Sequence, residues 1–121
     1  MAEDKKTLGL TDANKIIMDH VVEATGFKLD MDAAKFAFAL AVSRKCEPAV
    51  LEGAGTIWSV GGFDETGEIK ALIQNLYPNN ETPYRALESL MNSGFALLDA
   101  ELKAKPALRI QDLLKQETVP A

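Results

Sequence analysis

The chain has 121 residues, of which 47% are hydrophobic and 26% charged, a profile that fits one globular domain able to bury a core without staples. Cys46 and His20 are the only cysteine and histidine, which excludes an intrachain disulfide and the usual cysteine-rich zinc sites. The net charge of −5 argues against a default nucleic-acid binder, because phosphates reward lysine and arginine.

The charge is unevenly spread. Residues 1–50 hold seven basic and eight acidic groups, and residues 64–101 hold only Lys70 and Arg85 against seven acids. The acidity therefore belongs to the second half of the chain. No apolar run follows the lysines of "MAEDKKTLGL", so no signal peptide is expected. No stretch approaches ~18 uninterrupted apolar residues, so no membrane span is expected. A lone cysteine fits a reducing compartment, and a cytoplasmic setting is the expectation.

In chain order, "LTDANKIIMDHVVEATGF" predicts a first helix. Thr11 or Asp12 can cap it, and Ala13, Ile17, Val21 and Ala24 recur at helical spacing beside Ile16 and His20. Gly26 can take the left-handed conformation that ends a helix. "LDMDAAKFAFALAVSRK" predicts a second helix, capped by Asp30 or Asp32. Between Met31 and Val42 only Asp32 and Lys35 are polar. So apolar a helix is expected at the centre of the fold. Its alanines allow neighbours to approach closely, and Arg44 and Lys45 suit the negative end of its dipole.

"CEPAVLEGAG" reads as a connector. Residues 56–60 form one short extended stretch, with Ile57, Trp58 and Val60 as strand formers. It is too short for a sheet alone and can pair with another short strand, for example across an oligomer interface. "DETGEIKALIQNLY" predicts a third helix with an apolar stripe of Ile69, Leu72, Ile73 and Leu76. Asp64, Glu65 and Glu68 lie near its positive end. "TPYRALESLMNSGFALLDAELKAK" predicts a fourth helix, opened by Thr82 and Pro83. Its interior Gly94 costs about 1 kcal/mol against alanine, so it marks either a kink or a close helix crossing. After Pro106, residues 106–121 read as a short amphipathic helix or a tail. The sum is an all-α, four-helix single domain with a core over residues 8–104.

Candidate chemistry is sparse. In "GTIWSVGGFDETGE" the glycines match neither the P-loop nor the dinucleotide spacing. They read better as a Gly61-Gly62 turn with Trp58 and Phe63 burying aromatic surface on either side. His20, on or near the apolar face of its helix, lacks a marked nucleophile partner for base catalysis. Cys46, beside Arg44 and Lys45, reads as an unreactive helix-end residue in preference to an activated thiol. Asp64, Glu65 and Glu68 read as helix-capping acids in preference to metal ligands. No metal and no cofactor are expected. Lys15, Lys28, Lys35, Arg44 and Lys45 are the candidates for a nucleic-acid face, without the interleaved aromatics that single strands require.

The order of these features resembles the DndE family, small helical proteins of DNA phosphorothioate (sulfur-modification) systems. The resemblance is carried by "ATGF", by "AAKFAFALAVSRK", by "GTIWSVGGFDETGEIKAL" and by "LMNSGFALL", and it spans roughly residues 8–102. It implies a non-catalytic accessory protein that forms a homo-oligomer and acts with DNA or with the modification machinery in phage defence. The family's lysine-rich DNA surface would fall to Lys15, Lys28, Lys35, Arg44 and Lys45. The net negative charge departs from that pattern. A protein–protein adaptor or immunity-type module using the acidic half is the alternative, and a small enzyme built on His20 or the acidic cluster is the third reading.

Overall fold

The structure, a computed structural model, describes residues 3–51 and 53–104. The order is β1 (Thr7–Leu10), α1 (Asp12–Thr25), α2 (Asp30–Ser43), β2 (Gly55–Ser59), α3 (Val60–Phe63), α4 (Glu68–Leu76) and α5 (Pro83–Ala104). The fold is mostly helical, as expected, but it has five helices and a two-stranded sheet among the described residues instead of four helices and one extended stretch. The additions are β1 and the single-turn α3. The helix or tail expected after Pro106 lies outside the described residues.

β2 pairs antiparallel with β1 of the same chain, with a register shift between Leu8 and Gly9. The four-residue "TLGL" segment carries no periodicity of its own. It becomes a strand because Leu8 and Leu10 are fully buried and because α5 holds its other edge. A β-carbon on Gly9 would stand 1.5 Å from the Gly55 carbonyl oxygen. The strands can cross there only because Gly9 has no side chain.

Helix ends follow local chemistry. The Thr11 side chain accepts a hydrogen bond from Asn14 N, and Gly26 ends α1 at φ 78, the left-handed geometry that glycine adopts without strain. α2 departs from expectation. Neither Asp30 nor Asp32 caps it; Leu29 occupies the extended cap position without a side-chain bond, and both acids lie in the first helical turn. There they still complement the dipole. Gly61 and Gly62 make the expected turn between the strand and the next helix as a single helical turn. They lie inside α3, where Ser59 Oγ accepts from Gly62 N.

The central element is α5 and not α2. α5 packs against α1, α2, α4 and β1, and Leu87, Leu90, Met91, Phe95 and Leu98 are fully buried on it. α2 lies across it with Ala33, Ala34, Ala37 and Ala41 fully buried. Gly94 is the crossing point: a β-carbon there would stand 1.9 Å from the Ala37 carbonyl oxygen. Of the two readings of this glycine, close approach is the one realised. Among the described residues the exposed large apolar side chains are Ile16, Leu29, Val50, Leu72 and Leu76. None belongs to α2, whose Met31, Phe36 and Val42 are partly buried against the core.

α1 is rotated from its expected seat. Its buried residues are Met18 and Val21, while Ala13, Ile16, His20 and Ala24 are exposed. The inward row begins at Asn14, whose polarity hides it from an apolar count. No helix among the described residues is long and apolar enough to cross a membrane.

Candidate functional site

The acidic half divides into structural and exposed groups. Asp64 is buried. Its carboxylate accepts from Ile69 N and Lys70 N, both at 3.0 Å. It thereby satisfies the free N–H groups at the start of α4. It also accepts from the Tyr84 hydroxyl at 3.0 Å, which ties α4 to α5. Burial, that hydrogen bond and the charges of Asp64 and Asp4 push the Tyr84 hydroxyl up to about 12, so it stays a donor at neutral pH. Asp64 is thus occupied as a cap, while Glu65 and Glu68 are exposed. Among the described residues no three His, Cys, Asp or Glu groups are placed to hold a metal ion.

A second set of polar groups fastens the N-terminal segment to α5. Asp4 accepts from Tyr84 N at 2.9 Å and Arg85 N at 3.0 Å, capping a helix eighty residues away. Glu88, buried on α5, accepts from the Lys5 ammonium at 2.7 and 2.8 Å and from Gly9 N at 3.0 Å. Asn92 donates to Gly9 O and accepts from Thr11 N and the Asn14 side chain. Among the described residues every buried side-chain polar atom has a partner. These groups hold the fold, and none is left unpartnered and aimed into a cleft.

His20 is exposed, beside Glu23, Ala24, Asp99, Leu102 and Lys103 in an open groove between α1 and α5. It is not on the apolar face expected for it, because α1 turns Met18 and Val21 inward instead. Cys46 is half-buried in the connector, and its carbonyl accepts from the Tyr77 hydroxyl at 2.9 Å.

The five basic candidates have different surroundings. Lys28 is exposed in the turn before α2, and Lys45 is exposed just after it, with φ 60. The fourteen residues of α2 separate them, about 20 Å at the helical rise. Arg44 is next to Lys45 and reaches Glu101 at 4.0 Å. Lys35 is exposed on α2, with its ammonium 5.4 Å from the Phe63 ring centroid. It shares a groove with Asp32, Glu65 and Glu68. Lys15 is half-buried against Gly55 of β2. Arg44 and Lys45 are brought together; Lys28 lies at the far end of the helix from them.

The clearest surface feature is apolar. α4 turns Ile73 inward and leaves Leu72 and Leu76, one turn apart, 44% and 45% exposed. Leu76 shares a shallow groove with Glu47, Pro48 and Tyr77. Pro48 in turn lines the next groove with Val50, which is 92% exposed. Beyond the other end of α4, Leu29 is 60% exposed and shares a groove with Glu68 and Ile69. A short apolar strip of Leu72 and Leu76 thus runs along α4, with Glu68 one turn before Leu72 and with Glu47, Asn79 and Asn80 in the groove that Leu76 shares with Pro48. The sequence assigned Leu72 and Leu76 to the core stripe with Ile69 and Ile73. The missed signal was width: four apolar positions within eight residues exceed what so short a helix buries against one neighbour.

No family model, no curated protein and no solved structure matches the chain.

Proposed function

We propose that this chain is a non-catalytic accessory protein of the DndE kind that works by holding a protein partner. The observation that carries the reading is the exposed apolar strip of Leu72 and Leu76 on α4, with Glu68 one turn before it and Glu47 in the groove beside Leu76. Large apolar side chains left exposed beside charged ones mark interaction sites. The acids select the occupant: an amphipathic helix of another protein, with apolar side chains on the strip and lysine or arginine at its edges. The resemblance puts that partner in a DNA sulfur-modification or defence system, with a cytoplasmic setting and self-association as parts of the same reading.

Co-expression with candidate modification proteins tests it. The wild-type chain retains one of them in fixed proportion, and the double variant Leu72→Asp, Leu76→Asp loses it while staying folded. Equal retention by both, or retention by neither, removes the proposal.

Direct DNA contact is a second reading, supported by the exposure of Lys28 and Lys45. Mobility-shift assays with intact and nicked duplex at low salt decide it. A shift that weakens in Lys28→Ala and Lys45→Ala, and with added salt, supports that reading. No shift at micromolar protein eliminates it and leaves the protein-partner reading standing.

A further inference from the structure

The small sheet has one edge through which it can grow. β1 lies between β2 and α5, and its α5-facing edge is taken: Gly9 N donates to Glu88, and Gly9 O and Thr11 N bond to Asn92. β2 has β1 on one side only, and no described strand pairs with its far edge. Natural edge strands are guarded by lysine, proline or inward charge. Between Gly53 and Phe63 there is no charged residue and no proline. Lys15 lies over Gly55 at one end of the strand, and Thr56 and Ser59 present short, exposed side chains.

We infer that the far edge of β2 is the self-association surface, pairing antiparallel with β2 of a second copy. The product is a four-stranded sheet across a two-fold axis. A two-fold interface sets the same patch against itself, and like charges directly opposite each other destabilise a strand pair. An uncharged strand of Thr56, Ile57 and Trp58 meets that condition, which a foreign peptide would not impose. The inference gives an interface to the self-association in the proposed function and is independent of the α4 strip.

Light scattering across a wide concentration range tests it with three chains. The wild type is expected at twice the mass of the chain, and Thr56→Lys at monomer mass with unchanged circular dichroism. The Leu72→Asp, Leu76→Asp variant is expected to remain dimeric. In parallel, amide exchange at residues 55–59 of the wild type slows as concentration rises, a readout that holds even if Thr56→Lys misfolds. A strictly monomeric wild type, a dimer that survives Thr56→Lys, a dimer broken by the α4 variant, or concentration-independent exchange overturns the inference. Loss of partner retention in the α4 variant alone bears on the proposed function and leaves this interface intact.

Discussion

Replacing Gly94 by alanine sets two physical effects of opposite sign against each other. Helix propensity favours alanine by about 1 kcal/mol in a helix interior. On that term alone, Gly94→Ala stabilises α5. The tertiary structure says otherwise. The new methyl would meet Ala37 O at 1.9 Å, its carbonyl carbon at 2.4 Å and its Cα at 2.8 Å. All three atoms are backbone of α2, so no rotamer change clears them. α2 and α5 must separate by more than 1 Å, which opens the contact that buries Ala33, Ala37, Ala41, Met91 and Phe95. Overpacking of this kind costs typically about 1–3 kcal/mol, occasionally more. Because rigid backbone is displaced, we take the upper end and subtract the propensity gain. The expected net loss is about 2 kcal/mol, a fall in melting temperature of about 10 °C for a domain of this size. Urea unfolding followed by circular dichroism measures it, with Gly61→Ala as the control, since nothing lies within 4 Å of a β-carbon there. A Gly94→Ala chain as stable as wild type, or more stable, would refute the close-crossing argument.

Three further predictions rest on the polar anchors. Asp64→Ala removes the cap of α4 and the acceptor for Tyr84; a loss of about 1–2 kcal/mol in urea is expected, and no change would mean that backbone and water satisfy that helix end equally well. Glu88→Ala leaves Gly9 N and the Lys5 ammonium without their partner, and should cost at least ~2 kcal/mol; amide exchange at Leu8 and Leu10 should accelerate more than exchange in α4. For pH, Tyr84 keeps its proton in the fold up to about 12, against 10.0 in the unfolded chain. Its contribution is therefore complete below the unfolded value and is lost as pH rises through that window. Burial, with Glu47 and Cys46, raises Tyr77 in the same direction. Stability measured between these pH values should fall, and fall less steeply in Tyr84→Phe; parallel curves would exclude the linkage.

Local chemistry in the sequence determined where much of the helical structure starts and stops. Thr11, Gly26 and Pro83 sit at α-helix ends, where capping groups, left-handed glycine and proline's missing N–H predict them. Asp64 caps the positive end of α4 and Glu68 lies in its first turn.

Only the tertiary structure decided which faces turn inward. α1 seats on α5 through Asn14 as well as Met18 and Val21, because Asn14 bonds Asn92, a pairing between residues 78 apart. α4 buries Ile73 and exposes Leu72 and Leu76, because one short helix meets one main neighbour. β1 exists because Glu88 and Asn92, polar residues buried in the middle of α5, accept from and donate to its backbone. Gly94 could be read as kink or crossing until Ala37 was placed against it. Each of these depends on a contact across long sequence separation, and such contacts leave no period or cap in the chain for a local reading to detect.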